Sequence, residues 1–197
     1  MSMDIYDKFK IIESYFKELD VTTKKEHGKP FFDTQYGIWG AAGMLDVFEL
    51  FMRMHLEERK GFTDLGSGDG RIVLIAALFT DATGIEGDRG LHEKALSARD
   101  ALIKQVPDVA RAKFKNADYT QEDLSGNEVL FTFCDHNYGA QFEEKLQQEV
   151  KGVLLSYNKI FLPQRLVKGR TYWMQQIPVV TYWLGREEEE LYKDYRA

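Results

Sequence analysis

Residues 62–71 read FTDLGSGDGR, and this stretch decides the predicted fold. Its first four residues are typical of a short buried strand, and the apolar run from Arg71 to Phe79 predicts a helix directly after the turn. Glycines favour a tight bend here, because they have no side chains to obstruct a ligand that lies across the strand end. The first N–H groups of the helix have no partners within it, so they point toward such a ligand. The stretch therefore predicts a strand–turn–helix unit at a ligand-binding edge of a sheet.

The remaining chain alternates strand patterns with helix patterns, as in a doubly wound sheet. After the strand at 62–65 we predict strands over 82–86, 112–116, 128–133, 153–157, 171–176 and 179–184. Helices are predicted over 71–79, 90–106 and 139–151, where apolar residues recur at helical spacing. No helix pattern separates the last two strands. The predicted fold class is α/β: a doubly wound, mostly parallel seven-stranded sheet with a terminal antiparallel hairpin.

Two helices are predicted ahead of the first strand. An apolar stripe between Ile5 and Leu19 marks the first, and the second is predicted over 40–57. The polar stretch between them, 22–37, predicts a turn-rich connection. We therefore expect a single domain over 1–197, with a helical N-terminal extension over 1–59 and a Rossmann-like core over 60–197. The extension is expected to pack on the sheet or to cover a pocket.

Composition narrows the class of protein. The 197 residues include 26 Lys and Arg against 32 Asp and Glu, and the net charge of −6 argues against a nucleic-acid or anionic-membrane binder. A single cysteine, Cys134, excludes an internal disulfide, and four scattered histidines give no zinc-ligand spacing, so no metal is predicted. No apolar run is long enough for a signal peptide or a membrane span. We expect a soluble, cytoplasmic protein, and its oligomeric state stays open.

The spacing of the glycines discriminates between ligand classes. A P-loop requires Lys-Ser/Thr after its glycines, which is absent here, and a dinucleotide fingerprint requires Gly-x-Gly-x-x-Gly, whereas this turn has Gly-x-Gly-x-Gly. Asp64 and Asp69 beside the turn also disfavour a pyrophosphate. Carboxylates suit a ligand with cationic groups, such as the ammonium and sulfonium of S-adenosylmethionine.

Residues 64–70, DLGSGDG, closely resemble the first motif of the class I (seven-stranded) S-adenosylmethionine-dependent methyltransferases. In that family the leading acid, here Asp64, helps to place the methionine end of the cofactor, and the glycines allow it to approach the backbone. The resemblance implies S-adenosylmethionine as the cofactor. The residues predicted to bind it are Tyr36, Asp64, Gly66, Ser67, Gly68, Gly70, Glu86, Asp118, Tyr119 and Cys134.

Two later positions support this resemblance. Glu86 ends the second strand of the predicted sheet, 22 positions after Asp64, where a carboxylate can accept both ribose hydroxyls. Asp118 follows the third strand, and in the family an acid there accepts from the adenine amino group while a neighbour, here Tyr119, covers the ring. Glu86 could instead be a solvated residue, and Asp118 a turn residue.

The loop after the fourth strand, 134–139, is predicted to face the reactive methyl group. Asp135 is the leading candidate for holding the substrate, with Asn137 and Tyr138 shaping its slot, and His136 is a candidate base. The alternatives are that Asp135 caps the following helix, that His136 faces solvent and that Cys134 is a small core residue.

A narrower resemblance concerns the methyl acceptor. Residues 33–37, DTQYG, and 156–163, SYNKIFLP, are similar to segments of the non-SET, seven-stranded histone lysine methyltransferases. This implies a protein partner with lysine as acceptor, although Ile38 stands where that family has an acid and Cys134-Asp135 where it has paired asparagines. The open alternatives are a small-molecule or nucleic-acid amino methyltransferase and a non-catalytic S-adenosylmethionine-binding module. A nucleotide-dependent oxidoreductase is disfavoured by the glycine spacing.

Overall fold

A computed structural model describes residues 3–29, 31–175 and 177–185. Its helices are α1 (Ile5–His27), α2 (Met44–Arg53), α3 (Arg71–Ala76), α4 (Arg89–Leu102) and α5 (Ala140–Glu149). Its strands are β1 (Phe31–Thr34), β2 (Gly37–Gly40), β3 (Phe62–Leu65), β4 (Ala82–Glu86), β5 (Ala112–Asn116), β6 (Val129–Thr132), β7 (Gly152–Tyr157), β8 (Val167–Met174) and β9 (Ile177–Leu184). Short 3₁₀ turns, Leu56–Glu58 and Pro107–Arg111, precede β3 and β5.

Within the described residues, seven strands form one sheet in the order β5-β4-β3-β6-β7-β9-β8. The strands from β5 to β7 are parallel, and β9 is antiparallel to both β7 and β8. The chain runs outward from β3 to β4 and β5, then returns to the other side of β3 for β6 and β7. The strand order therefore switches at β3 and β6, and a crevice forms at their carboxyl ends. The predicted α/β fold with its terminal antiparallel hairpin is confirmed.

Both faces of the sheet are covered, which explains the continuous apolar runs in its central strands. Successive residues of β6 alternate between two buried clusters: Val129 and Phe131 belong to the larger one, and Leu130 belongs to the smaller. The larger cluster joins the sheet to α1, α2 and α3, whereas the smaller one holds α5 through Phe142 and Leu146. This period-two alternation places each side chain of β6 and β7 on a known face.

The N-terminal extension differs from its prediction. The stretch 22–37, expected as a turn, supplies the end of α1 and most of an antiparallel ribbon formed by β1 and β2. Gly28 ends α1 in the left-handed conformation, and its N–H donates to the Lys24 carbonyl. The strands of the ribbon have only four residues each, too few for period-two alternation to stand out from a polar background. The extension is therefore not wholly helical.

Element boundaries differ more modestly elsewhere. The second helix covers 44–53 rather than 40–57, since the chain up to Gly40 belongs to the ribbon. Strand β8 begins at Val167 rather than Thr171, and Gln176, the predicted end of that strand, lies outside the described residues. In the part of the chain that the structure describes, no helix is long and apolar enough to cross a membrane.

Candidate functional site

A cleft lies at the carboxyl ends of β3, β4 and β6, and the ribbon of β1 and β2 forms its outer wall. Its floor is the glycine turn between β3 and α3, where Gly66 and Gly68 have φ of +80° and +55°. These angles belong to the left-handed region that favours glycine. Of the residues predicted to bind a cofactor, the cleft brings together Tyr36, Asp64, Gly66, Ser67, Gly68, Glu86, Asp118, Tyr119 and Cys134.

Gly70 is not among the residues that line the cleft, and its predicted contact with a cofactor stays a prediction. A Cβ atom at this position would lie 2.7 Å from the Ala95 side chain and 2.8 Å from the ring of Phe114. Gly70 also caps α3 with φ of +82°. Its lack of a side chain therefore serves the packing of the glycine turn against α4 and β5.

Three carboxylates converge on the glycine turn. Glu86 accepts hydrogen bonds from the Gly68 N–H at 2.7 Å and the Asp88 N–H at 2.8 Å. Asp69 is paired with the Arg71 guanidinium, whose Nη2 lies 2.7 Å from Oδ2. The third carboxylate, Asp64, is only 3% exposed, and no described Lys, Arg or His is paired with it. Of these three buried carboxylates, only Asp69 has a cation among the described residues: Glu86 is held by backbone N–H groups, and Asp64 is unpaired.

Burial raises the pKa of two of these groups. The pKa of Asp64 lies well above its ordinary value, first because of burial and then because of the nearby charges of Glu86 and Asp69. Burial likewise raises the pKa of Glu86, although the N–H groups of Asp88 and Gly68 partly oppose this. A cation that binds beside Asp64 would stabilise its ionised form, so the site favours a positively charged group there.

The far side of the cleft carries Asp118 and Tyr119. The Asp118 carboxylate accepts from the Thr120 N–H at 2.9 Å, as in an Asx turn, and also lines the cleft. The Tyr119 ring lies close to Gly66 and packs on Phe142, and burial raises its pKa to about 12. An aromatic face beside a partly free carboxylate is suited to a planar base with an amino group.

Ser67 is a second unpartnered polar group in the cleft. Its hydroxyl oxygen is buried, and no described residue is hydrogen-bonded to it. Strand β4 comes so close that a Cβ atom at Gly84 would lie 2.6 Å from this oxygen. A buried hydroxyl without a partner is costly in free energy, so Ser67 favours a ligand that supplies one.

The ribbon contributes residues that sequence reasoning did not identify. The Tyr36 ring lies against Gly87, and the Trp39 indole lies against Gly68, so both rings reach the cleft. Tyr36 was predicted, but Trp39 was not. The signal available in the sequence was the segment GIWG at 37–40, in which an aromatic residue stands beside a glycine within an otherwise polar stretch.

Asp135 holds this ribbon in place. Its Oδ2 accepts the Ile38 N–H at 2.6 Å, and its Oδ1 lies 2.8 Å from His136 Nδ1. Burial alone would raise the pKa of Asp135, but the hydrogen bonds from Ile38 and His136 lower it overall. The imidazole extends this series of hydrogen bonds, because His136 Nε2 lies 3.3 Å from the Tyr119 hydroxyl. Each carboxylate oxygen of Asp135 therefore already has a hydrogen-bond partner, Ile38 for Oδ2 and His136 for Oδ1. The predicted contact of Asp135 with substrate stays a prediction.

The structure does not bring Asn137 and Tyr138 into the cleft. Asn137 is exposed, and the Tyr138 hydroxyl lies 3.0 Å from the Ser156 hydroxyl, with its ring packed on the smaller core cluster. Chain direction explains this, because the loop turns away from the cleft after His136 to enter α5. Phe133, which was not predicted, lines the cleft instead and is 37% exposed.

No family model matches the chain, and no curated protein matches it by sequence. Solved structures are similar to it. An RNA methyltransferase from Salinibacter ruber in complex with S-adenosyl-L-homocysteine has a TM-score of 0.63 and 24% identity, over 77% of this chain and 98% of that chain. A methyltransferase from Geobacter sulfurreducens has a TM-score of 0.60 and 15% identity, over 93% of this chain and 92% of that chain. A SAM-dependent methyltransferase from Neisseria gonorrhoeae has a TM-score of 0.59 and 11% identity, over 72% of this chain and 69% of that chain. The chain therefore has the Rossmann-like fold of these class I methyltransferases.

Proposed function

We propose that this chain, which has the fold of class I methyltransferases, is itself an S-adenosylmethionine-dependent methyltransferase. The observation that carries the proposal is the Asp64 carboxylate, buried in the cleft without a cation beside the glycine turn. An ionised carboxylate is expensive to bury unless it is paired. The ammonium group of S-adenosylmethionine is a cation that this position can hold.

The other residues of the cleft fit the remaining parts of that molecule. Glu86 keeps lone pairs free for ribose hydroxyls while its two backbone donors fix its orientation. Asp118 and Tyr119 offer an acceptor and a ring face to adenine. Ser67 offers a hydroxyl that has no partner among the described residues. Cationic, hydroxyl-bearing and aromatic parts of one ligand each find a complementary group.

When bound, S-adenosylmethionine supplies a methyl group that an acceptor nitrogen takes as the carbon–sulfur bond breaks, leaving a neutral thioether. An acceptor amine must also lose a proton. We assign this task to His136. The Asp135 carboxylate accepts from Nδ1, so Nε2 carries no proton, and Nε2 takes the amine proton once the amine replaces the Tyr119 hydroxyl beside it. Positioning the amine in line is the main contribution expected of the walls of the cleft.

For the acceptor we propose a protein lysine. The net charge of −6 favours a cationic segment over a polyanion. Ile38 and Phe133 are exposed and line the cleft, where they can pack on the aliphatic part of a lysine side chain. A second candidate is a nitrogen of RNA, which the similarity to the Salinibacter ruber RNA methyltransferase favours.

Two measurements test the proposal. Calorimetry should detect binding of S-adenosylmethionine to the purified protein, and absence of binding overturns the function. Incubation with methyl-tritiated S-adenosylmethionine and a host lysate should then label protein bands, with label recovered as methyl-lysine after hydrolysis. Label that ribonuclease removes and protease does not would replace lysine with RNA as the acceptor. Binding without any transfer would support a non-catalytic module.

A further inference from the structure

One buried guanidinium joins three separate parts of the chain at the glycine turn. Arg71 is 4% exposed, and its nitrogens donate to two carboxylates. Nε and Nη2 contact Asp69 at 3.0 and 2.7 Å, and Nη1 and Nη2 contact Asp20 at 3.1 and 2.6 Å. Asp69 belongs to the glycine turn, whereas Asp20 lies on α1, 51 positions before Arg71.

The faces of the guanidinium are covered as well. Its carbon atom lies 5.0 Å from the centre of the Phe16 ring on α1 and 5.6 Å from that of Trp39 on the ribbon. Both distances are within the range of a cation–π contact. Trp39 in turn lies against Gly68. The helix α1, the ribbon and the turn therefore all contact this one side chain.

The charge of Arg71 also determines which carboxylates at the turn have no cation. Asp69 and Asp64 are both almost completely buried in the cleft, and Asp69 is compensated by Arg71 whereas Asp64 is not. Without Arg71, Asp69 would join Asp64 and Glu86 as a third buried carboxylate without a cation, and the three charges would repel one another. The planar guanidinium of Arg71 donates to two carboxylates at once and so fixes the geometry of the turn. A lysine ammonium lacks this planar set of donors and would fix it less well.

We propose that Arg71 is a positioning residue for the cofactor, through which α1 and the ribbon become part of the binding site rather than an appended module. This inference rests on the proposed function. It predicts that cofactor affinity depends on Asp20, a residue of α1 that does not line the cleft. Asp20 is 40% exposed, so its substitution leaves the core of α1 intact.

The test compares Asp20→Asn with Glu18→Gln, which makes the same change of charge at an exposed site on the same helix. By calorimetry, Asp20→Asn should weaken S-adenosylmethionine binding about tenfold, the usual scale for one charge-assisted hydrogen bond pair. Glu18→Gln should bind like the wild type. Asp20→Glu, which restores the charge, should recover most of the lost affinity.

Hydrogen exchange provides a readout that does not need the ligand. Asp20→Asn should speed exchange of the amides in 31–40, because Trp39 loses part of its support, while the amides of β9 keep their wild-type rates. If Asp20→Asn binds the cofactor normally and leaves exchange in 31–40 unchanged, the inference is overturned. A wild-type protein that does not bind S-adenosylmethionine at all would overturn the proposed function instead, and the exchange result would then stand separately.

Discussion

The indole of Trp39 lies so close to Gly68 that a Cβ atom at residue 68 would be 2.5 Å from Nε1. Two contacts therefore require a glycine at residue 68: its backbone lines the cleft, and the Trp39 indole of the ribbon packs directly on it. This contact joins the N-terminal extension to the most recognisable motif of the chain. It also means that the wall of the cleft and its floor cannot be altered independently.

Replacing Gly68 with alanine should abolish detectable S-adenosylmethionine binding. The added methyl group meets the Trp39 indole and also strains a backbone with φ of +55°. Gly126→Ala is the matched control, because Gly126 has φ of +83° but nothing within 4 Å of the added atom. It should lose about 1 kcal/mol of stability from backbone strain and keep its affinity. Equal affinities of the two variants by calorimetry would contradict the role given to this glycine.

Asp64→Asn should stabilise the protein at neutral pH while it weakens binding of the cofactor. Burial raises the pKa of Asp64 in the folded protein above its unfolded value. The stability that this group contributes is thus complete below the unfolded pKa and is lost as pH rises through the folded pKa. An amide does not titrate, so the variant should melt at least ~2 °C higher at neutral pH, and this gain should vanish at acidic pH.

The same variant separates the amino-acid end of the ligand from its nucleoside. Asp64→Asn should weaken S-adenosylmethionine binding about 10- to 100-fold, as expected for a lost contact between charges. Binding of methylthioadenosine, which has no ammonium group, should stay within about twofold of the wild type. If both ligands lose affinity equally, Asp64 does not hold the ammonium.

Asp135→Ala should release the ribbon from the loop after β6. The Ile38 N–H loses its acceptor and His136 loses the group that orients its ring. We expect cofactor affinity to fall about tenfold and turnover to fall further. Asn137→Ala, two positions along at an exposed site outside the cleft, is the control and should leave both quantities unchanged. Full turnover by Asp135→Ala would remove Asp135 from the site.

Tyr138→Phe tests whether that hydroxyl is structural. It removes the hydrogen bond with Ser156 and should cost about 1 kcal/mol in the free energy of unfolding, measured by urea denaturation. Ser156→Ala should cost a similar amount, and the double variant should cost less than the sum, because the two hydroxyls share one bond. Turnover should not change in any of the three. A specific loss of kcat in Tyr138→Phe would return this residue to the catalytic set.

The sequence by itself determined the strand–turn–helix that begins at Phe62, although the helix ends at Ala76 rather than at Phe79. It also determined the alternation of strands with helices and the terminal hairpin. Glycine at positive φ, apolar runs and helical spacing are local properties, so they can be read over a few residues. Nine of the ten predicted cofactor-site residues line one cleft. Eight of them lie at the carboxyl ends of parallel strands, which meet at one edge, and Tyr36 reaches the cleft from the ribbon. Gly70 is the tenth, and its packing role depends on α4 and β5.

Only the tertiary structure decided which groups pair across long separations. Asp135 binds the backbone of Ile38, 97 positions away, and Arg71 binds Asp20, 51 positions away. The strand order and the path of the ribbon bring these groups together, and no local pattern encodes either one. The direction of the chain after His136 likewise sends Tyr138 to the core and leaves Phe133 in the cleft. Local sequence patterns therefore predict conformation and burial. Which charged groups pair is decided only when folding brings residues that are distant in sequence within hydrogen-bonding distance.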